Sequence, residues 1–305
     1  MKELLNELSL IFPKAVAIVS LQGGIENKTF FVRYSVEDIF VVRIYLSKSQ
    51  EEANQEITLL LSVSSSVKCA KPILKVGNGY IFFVGGYPSC AFEYIDGTHP
   101  NRDDLQLVLF NDLGKTLGSL HNSTRSWTYR KLWNETDTLR RAKELANILT
   151  DGVFNRLNSF IREEIKLYES HFLLDTQFSA VLHADVDASN IIFNENSLSF
   201  FLIDFDDSTQ GAVELDLAIA VRNLVLKGKN ARDCVQKAEQ LLKGYREATN
   251  YAIKNLGRWV RFACFRHLLL MLSKSFQSLS YPSANDINYL IWEKALKYEI
   301  LLNEL

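Results

Sequence analysis

The chain has 305 residues, 47% of them hydrophobic and 23% charged, enough to bury one large core or two modest ones. A formal net charge of −2 argues against non-specific nucleic-acid binding, which needs a basic face for counterion release, so no nucleic-acid partner is expected. No stretch reaches the roughly 20 apolar residues of a bilayer span. The nearest, Ala212–Leu226 and Ala263–Leu272, are cut by Glu214, Asp216 and Arg222 or by Arg266 and His267. Met1–Lys14 carries two glutamates and no unbroken apolar run, so it does not read as a signal peptide. Cys69, Cys90, Cys234 and Cys264 are scattered without metal-ligand spacing, which fits buried or free thiols in a reducing compartment. A cytoplasmic protein with no membrane partner is expected.

The first hundred residues read as sheet. Ala15–Leu21, Thr29–Tyr34 and Ile39–Leu46 are short, β-branched and aromatic, and separated by turn-like segments. Gln50–Val63 then carries Ala53, Ile57, Leu60 and Leu61 at helical spacing. Ile73–Val76, Tyr80–Val84 and Cys90–Ile95 complete the predicted strands, the middle one turned by Gly77-Asn78-Gly79. Gly97 and Pro100 stop the last strand, which sets expected domains of 1–96 and 97–305.

Beyond that point the spacing is helical over Asp104–His121, Leu139–Leu149, Val153–Phe172, Asp216–Leu226, Ala231–Ala252 and Gly257–Phe276. One break interrupts the helices. Asn190–Phe193 and Leu198–Ile203 read as a hairpin turned at Asn194–Ser197. The expected class is α+β, a sheet-rich unit with one long helix followed by a mainly helical unit.

The hairpin carries chemistry at its ends. Asn190 begins it and Asp204 follows it, so both present oxygen ligands at one open end. A hard cation such as Mg²⁺ takes one or two such protein ligands and fills the rest with phosphate and water. Asp185 lies on the preceding loop, placed to receive a proton from an attacking hydroxyl. Phosphoryl transfer needs these parts: alignment, charge neutralisation and one positioned carboxylate.

His183-x-Asp185-x-x-x-x-Asn190 followed by Ile203-Asp204-Phe205-Asp206 resembles the catalytic loop and metal-binding segment of the aminoglycoside phosphotransferase family. That family includes choline kinases and type II homoserine kinases and is distantly related to protein kinases. The resemblance implies a bilobal protein-kinase-like fold and an ATP- and Mg²⁺-dependent kinase acting on a small-molecule hydroxyl. It implies Asp185 as catalytic base, Asn190 and Asp204 as Mg²⁺ ligands, and Asp216 in Glu214–Ala218 as a brace for the catalytic loop.

The same resemblance extends through the first unit. It implies that Gly23, Gly24 and Asn27, in the Gln22–Lys28 loop and at its end, cover the ATP phosphates, where glycine lets backbone N–H groups approach closely. Arg43 stands where the family places a phosphate-holding lysine, and Glu56 resembles its ion-pair partner. Glu93, Tyr94 and Ile95 resemble the adenine-binding hinge, and Leu113–His121 the helix after it.

Three departures bear on activity. Arginine replaces lysine at 43; it keeps the charge but is bulkier and planar. Asp187 and Ser189 differ from the common pattern, and Asp187 either meets a cationic substrate or salt-bridges to a neighbour. A nucleotide-binding scaffold without turnover is the second reading, and a protein serine/threonine kinase of the stress-response type ranks below it. For the acceptor, Asp187, Asp206, Asp207 and Glu214 suit a cationic aminoglycoside. Arg222, Arg258, Arg261 and Arg266 suit a carboxylate-bearing metabolite, and Tyr245, Tyr251, Trp259 and Trp292 are the aromatics available to a choline cage. Small polar metabolites are preferred over antibiotics. His121 is expected to be a packing residue. Oligomeric state is not readable.

Overall fold

The computed structural model describes residues 2–21, 27–101, 105–149, 155–171, 178–196, 199–228, 230–277, 296–297, 299, 302–303 and 305. Gly23, Gly24, Trp292 and the predicted helix starts at Asp104 and Val153 lie outside them. The chain divides into two units, one of Met1–Thr98 with Phe201–Ile203 and one of His99–Phe200 with Asp204–Leu305.

Among the described residues, the first unit is a six-stranded sheet with two helices. Strands β1 (Ala17–Ser20), β2 (Asn27–Arg33), β3 (Ile39–Tyr45), β4 (Pro72–Ile73), β5 (Ile81–Val84) and β6 (Tyr87–Glu93) run in the order β1-β2-β3-β6-β4, with β5 also on β6. All pairs are antiparallel. Strict alternation in β3 sends Phe40, Val42 and Ile44 inward beside Phe30, Val32 and Val84. Helix α1 (Lys2–Ile11) seals that core with Leu8, followed by Phe12. It was not predicted, although Leu4, Leu5 and Leu8 have helical spacing.

Helix α2 (Gln50–Val63) has the predicted bounds. A capping box explains its start: Ser49 accepts from the Glu52 N–H while Glu52 accepts from the Ser49 N–H at 2.8 Å. Strand β6 is displaced towards the N-terminus from the predicted Cys90–Ile95, because Pro88 and Tyr87 pair with Phe83 and Val84 across a tight turn at Gly85-Gly86.

The second unit is mainly helical: α3 (Leu107–Thr124), α4 (Glu135–Ile148), α5 (Asn155–His171), α6 (Val213–Ala220), α7 (Ala231–Thr249) and α8 (Leu256–Gln277). Strands β8 (Ile191–Asn194) and β9 (Ser199–Leu202) pair as the predicted hairpin. A second pair was missed: β7 (Ser179–Leu182) runs antiparallel to β10 (Thr209–Ala212). Thr209-Gln210-Gly211-Ala212 has no apolar alternation to announce a strand. Its pairing follows from tertiary hydrogen bonds, including Gln210 N–H to Arg130 O at 2.8 Å.

All eight residues of α6 are buried, the carboxylates Glu214 and Asp216 among them. The predicted helix Asp216–Leu226 is in fact α6 continued by a π turn over Val221–Val225. No described helix is long and apolar enough to cross a membrane. All four cysteines are free and buried, and burial pushes the Cys69 and Cys264 thiols up to about 12.

Helices α3 and α7 approach through glycines. A Cβ on Gly114 would sit 2.0 Å from Leu241 O, and one on Gly244 would sit 1.8 Å from Asn111 O. Both clashes are with backbone, so the helices must separate to admit a methyl group. Gly114→Ala and Gly244→Ala should each cost about 1–3 kcal/mol, read as a lower urea midpoint. An unchanged midpoint in both would contradict this packing.

Candidate functional site

In the second unit the site is organised around Asp216, whose side chain is fully buried. Its Oδ2 accepts the His183 N–H at 2.8 Å and His121 Nε2 at 3.1 Å, and its Oδ1 accepts the Ala184 N–H at 2.8 Å. His121 Nδ1 meets the Tyr245 hydroxyl at 3.0 Å. One carboxylate thus ties α3, α7 and the loop after β7 together. Burial pushes the Asp216 carboxyl up, but the bonds and charge from His121, with His183 and the Ala184 N–H, outweigh it and hold the pKa below the ordinary aspartate value. His121 is a packing residue, as expected, with a defined hydrogen-bonding duty.

The pinned loop is strained. Ala184 has φ 65° and Asp204 φ 64°, left-handed values that cost non-glycine residues about 1–3 kcal/mol each. From Ala184 the chain turns Asp185 towards Asn190, whose Nδ2 donates to Asp185 Oδ2 at 2.8 Å and Asp185 O at 2.9 Å. Asn190 ends a 3₁₀ turn over Ala188–Asn190. Asp187 caps that turn, accepting from the Ser189 N–H at 3.2 Å, and lies 3.9 Å from Lys227 Nζ. Of the two expectations for Asp187, its contacts are those of a neighbour-bound cap.

Burial raises the Asp185 carboxyl, and the charges of Asp204 and Asp187 add to this against His183 and the Asn190 bond. Asn190 at one end of the hairpin thus bonds Asp185, and the charge of Asp204 at the other end acts on Asp185. Arg130, which the sequence did not flag, grips the stretch after Asp204 through the Asp206 and Ser208 carbonyls.

The first unit gathers cations instead. Glu56 on α2 is buried and receives Arg43 Nη1 at 3.6 Å and Lys48 Nζ at 2.7 Å. Both cations also stand over the Tyr45 ring, at 5.6 and 5.3 Å. Lys48 was missed because a lone lysine in a turn carries no periodic signal. The Ser49 cap immediately after it aims both Lys48 and Glu56. Asn27 opens β2, buried and opposite Tyr45. Glu93 ends β6 with its N–H bonded to Lys71 O at 2.8 Å, and Tyr94 and Ile95 follow it.

A small apolar pocket in the second unit is lined by Leu109, Phe110, Leu113, Ile191, Phe200 and Leu224, among others. It offers no polar group to orient a hydroxyl and is distinct from the charged cluster.

The model of the phosphotransferase enzyme family matches residues 17–250, and the chain belongs to that family. No curated protein matches its sequence. Among solved structures, it is similar to amicoumacin kinase hAmiN in complex with AMP-PNP, Ca²⁺ and Ami. That match has TM-score 0.74 and 15% identity over 98% of this chain and 93% of that one. It is similar to choline kinase LicA from Streptococcus pneumoniae, with TM-score 0.68 and 15% identity over 99% of each chain. A microcompartment-associated aminopropanol kinase matches with TM-score 0.62 and 19% identity, over 98% of this chain and 96% of that one. The fold is the kinase-like one, and the protein is a small-molecule kinase.

Because the Asp216 carboxyl has a folded pKa below its unfolded value of about 3.9, its stabilisation is complete above that value. It is lost as pH falls from there through the folded pKa. Asp216→Asn should cost about 3–5 kcal/mol at neutral pH and flatten the acid limb of stability against pH. Urea titrations between neutral and acidic pH test this; parallel wild-type and variant curves would refute it.

Proposed function

We propose that this kinase transfers the γ-phosphoryl group of ATP to a hydroxyl of a small polar metabolite, with Asp185 as catalytic base and Mg²⁺ as the metal. The observation that carries the reading is the orientation of Asn190. Its Nδ2 is spent on Asp185, and its Oδ1 makes no hydrogen bond among the described residues. That oxygen and the Asp204 carboxylate form a hard-oxygen donor pair suited to Mg²⁺. The crowding of Asp185, Asp187 and Asp204 charges favours a cation there. When bound, Mg²⁺ would neutralise phosphate charge.

Asp185 Oδ2, oriented by Asn190, accepts the acceptor's hydroxyl proton as that oxygen bonds the γ-phosphorus. The bond to the β–γ bridging oxygen breaks and ADP leaves. Asp216 holds the His183 and Ala184 N–H groups, so the loop carrying Asp185 is set before substrate arrives.

In the first unit, Arg43 and Lys48 hold the nucleotide phosphates, and Glu56 keeps both side chains extended. Lys48 supplies the compact ammonium that position 43 lacks, which answers the departure at Arg43. Asn27, with Gly23 and Gly24, belongs to the phosphate cover, and the main chain of Glu93, Tyr94 and Ile95 receives adenine. A cytoplasmic location and a free acceptor metabolite complete the reading.

Asp185→Asn should lower kcat at least about 1,000-fold while MgATP still raises Tm. Lys48→Met should raise the KM for ATP about tenfold, because a charge-assisted contact is lost. Near-normal turnover in Asp185→Asn, measured by ADP release, would sink the base assignment. An unchanged KM in Lys48→Met would remove Lys48 from the phosphate site.

A further inference from the structure

The arginines of the second unit fall into two kinds. Arg261 is neutralised: it bonds Glu164 at 2.5 and 3.1 Å and reaches Glu299 at 3.4 Å. Arg222 and Arg266 are not. Each is buried, at 7% and 6% exposure, and neither makes a salt bridge among the described residues.

Both are held instead by neutral acceptors. Arg222 Nη1 donates to Asn223 Oδ1, and the guanidinium touches the Cys264 sulfur. Asn223 Nδ2 in turn donates to Val186 O at 3.0 Å, one residue beyond Asp185. Arg266 Nε donates to Trp133 O at 2.8 Å. That carbonyl is set by a left-handed Trp133, φ 56°, whose N–H bonds Asp137 Oδ2 at 2.9 Å.

Neutral hydrogen bonds orient a guanidinium without cancelling its charge. Arg222 Nε is buried with no hydrogen-bond partner among the described residues. Arg266 feels the carboxylates of Asp207, Asp185 and Asp216 and the like charge of Arg222, while Arg222 feels Asp187 and Asp185. Burial works against each cation. Two of those carboxylates have duties of their own: Asp216 with His121 and the loop, Asp187 with its cap and Lys227. Arg222 lies on the π turn, an insertion that re-aims side chains at functional sites. Two oriented, buried cations without a salt bridge among the described residues, beside the loop that carries Asp185, form a receptor for an anion.

Three of the four aromatics available to a choline cage are described, and they are otherwise engaged. Tyr245 is wholly buried against His121, Trp259 packs on Phe262, and Tyr251 bonds Glu214 at 2.7 Å and packs on Phe178. These three form core contacts and not a cage around a quaternary ammonium.

We propose that the phosphoryl acceptor is a hydroxy acid, its carboxylate held by Arg222 and Arg266 so that its hydroxyl meets Asp185. This rests on the kinase reading above and names its substrate class.

The test measures ADP release by the full-length protein with MgATP and matched acceptors. L-homoserine, L-serine and glycerate are set against 3-aminopropan-1-ol, ethanolamine and glycerol, with choline and kanamycin alongside. One acid should exceed its carboxylate-free counterpart roughly 100-fold in kcat/KM, because the counterpart leaves the cations unpaired. Arg222→Met and Arg266→Met should each raise the KM for that acid about 10–100-fold, with kcat changed less and Arg→Lys partly restoring it. The wild-type comparison needs no variant to fold.

A thermal-shift arm with the same acids and MgADP reads binding without turnover. Preference for choline, kanamycin or a carboxylate-free alcohol overturns the proposal. So does the absence of both acid-dependent turnover and acid-dependent stabilisation, or acid turnover indifferent to both arginines. If MgATP stabilises the wild type while the acids fail, only the acceptor class falls. If no nucleotide stabilises it, the kinase site itself falls.

Discussion

Everything in the second unit that bears on chemistry depends on one buried carboxylate. Asp216 accepts two backbone N–H groups and an imidazole N–H, so its desolvation is offset by three directed bonds. Without it the His183–Ala184 peptide would hold two buried donors and a left-handed alanine with nothing to fix them. The glycine contact between α3 and α7 serves the same point, since it brings His121 and Tyr245 close enough to bond. Packing, strain and the orientation of Asp185 are therefore one problem with one solution.

Glu56 plays the corresponding part in the first unit, and the physics differs. There the buried carboxylate is shared by two cations of different shape, a planar guanidinium and a compact ammonium. The nearer one is Lys48. An arginine in the third strand is thus not a lone substitute for lysine but half of a pair, and the capping box of α2 sets where that pair converges.

The charges of the second unit sort by their partners. Arg261 is paired with carboxylates and braces α8 against α5 through Glu164. Arg222 and Arg266 are steered by an amide and a carbonyl, which fixes direction and leaves charge over. Composition treats all these arginines alike; only their acceptors separate them.

Local rules made much of this protein legible in its sequence. Alternation in Ile39–Tyr45 and helical spacing with a Ser-x-x-Glu cap at Ser49 fix sheet and helix because they are properties of neighbouring residues. Asp185, Asn190 and Asp204 are legible too, since a hairpin of known length brings its two ends together. The strand Thr209–Ala212, the π turn at Arg222, the arrival of Lys48 at Glu56 and the seat of Arg266 on Trp133 were not legible. The strand and the seat of Arg266 depend on groups far apart in sequence, and no local pattern encodes which acceptor a buried charge will find. The sequence by itself determined the class of fold and the residues at the hairpin's ends. The tertiary structure decided which charges are cancelled and which are left for a ligand, because cancellation is a matter of distance in space.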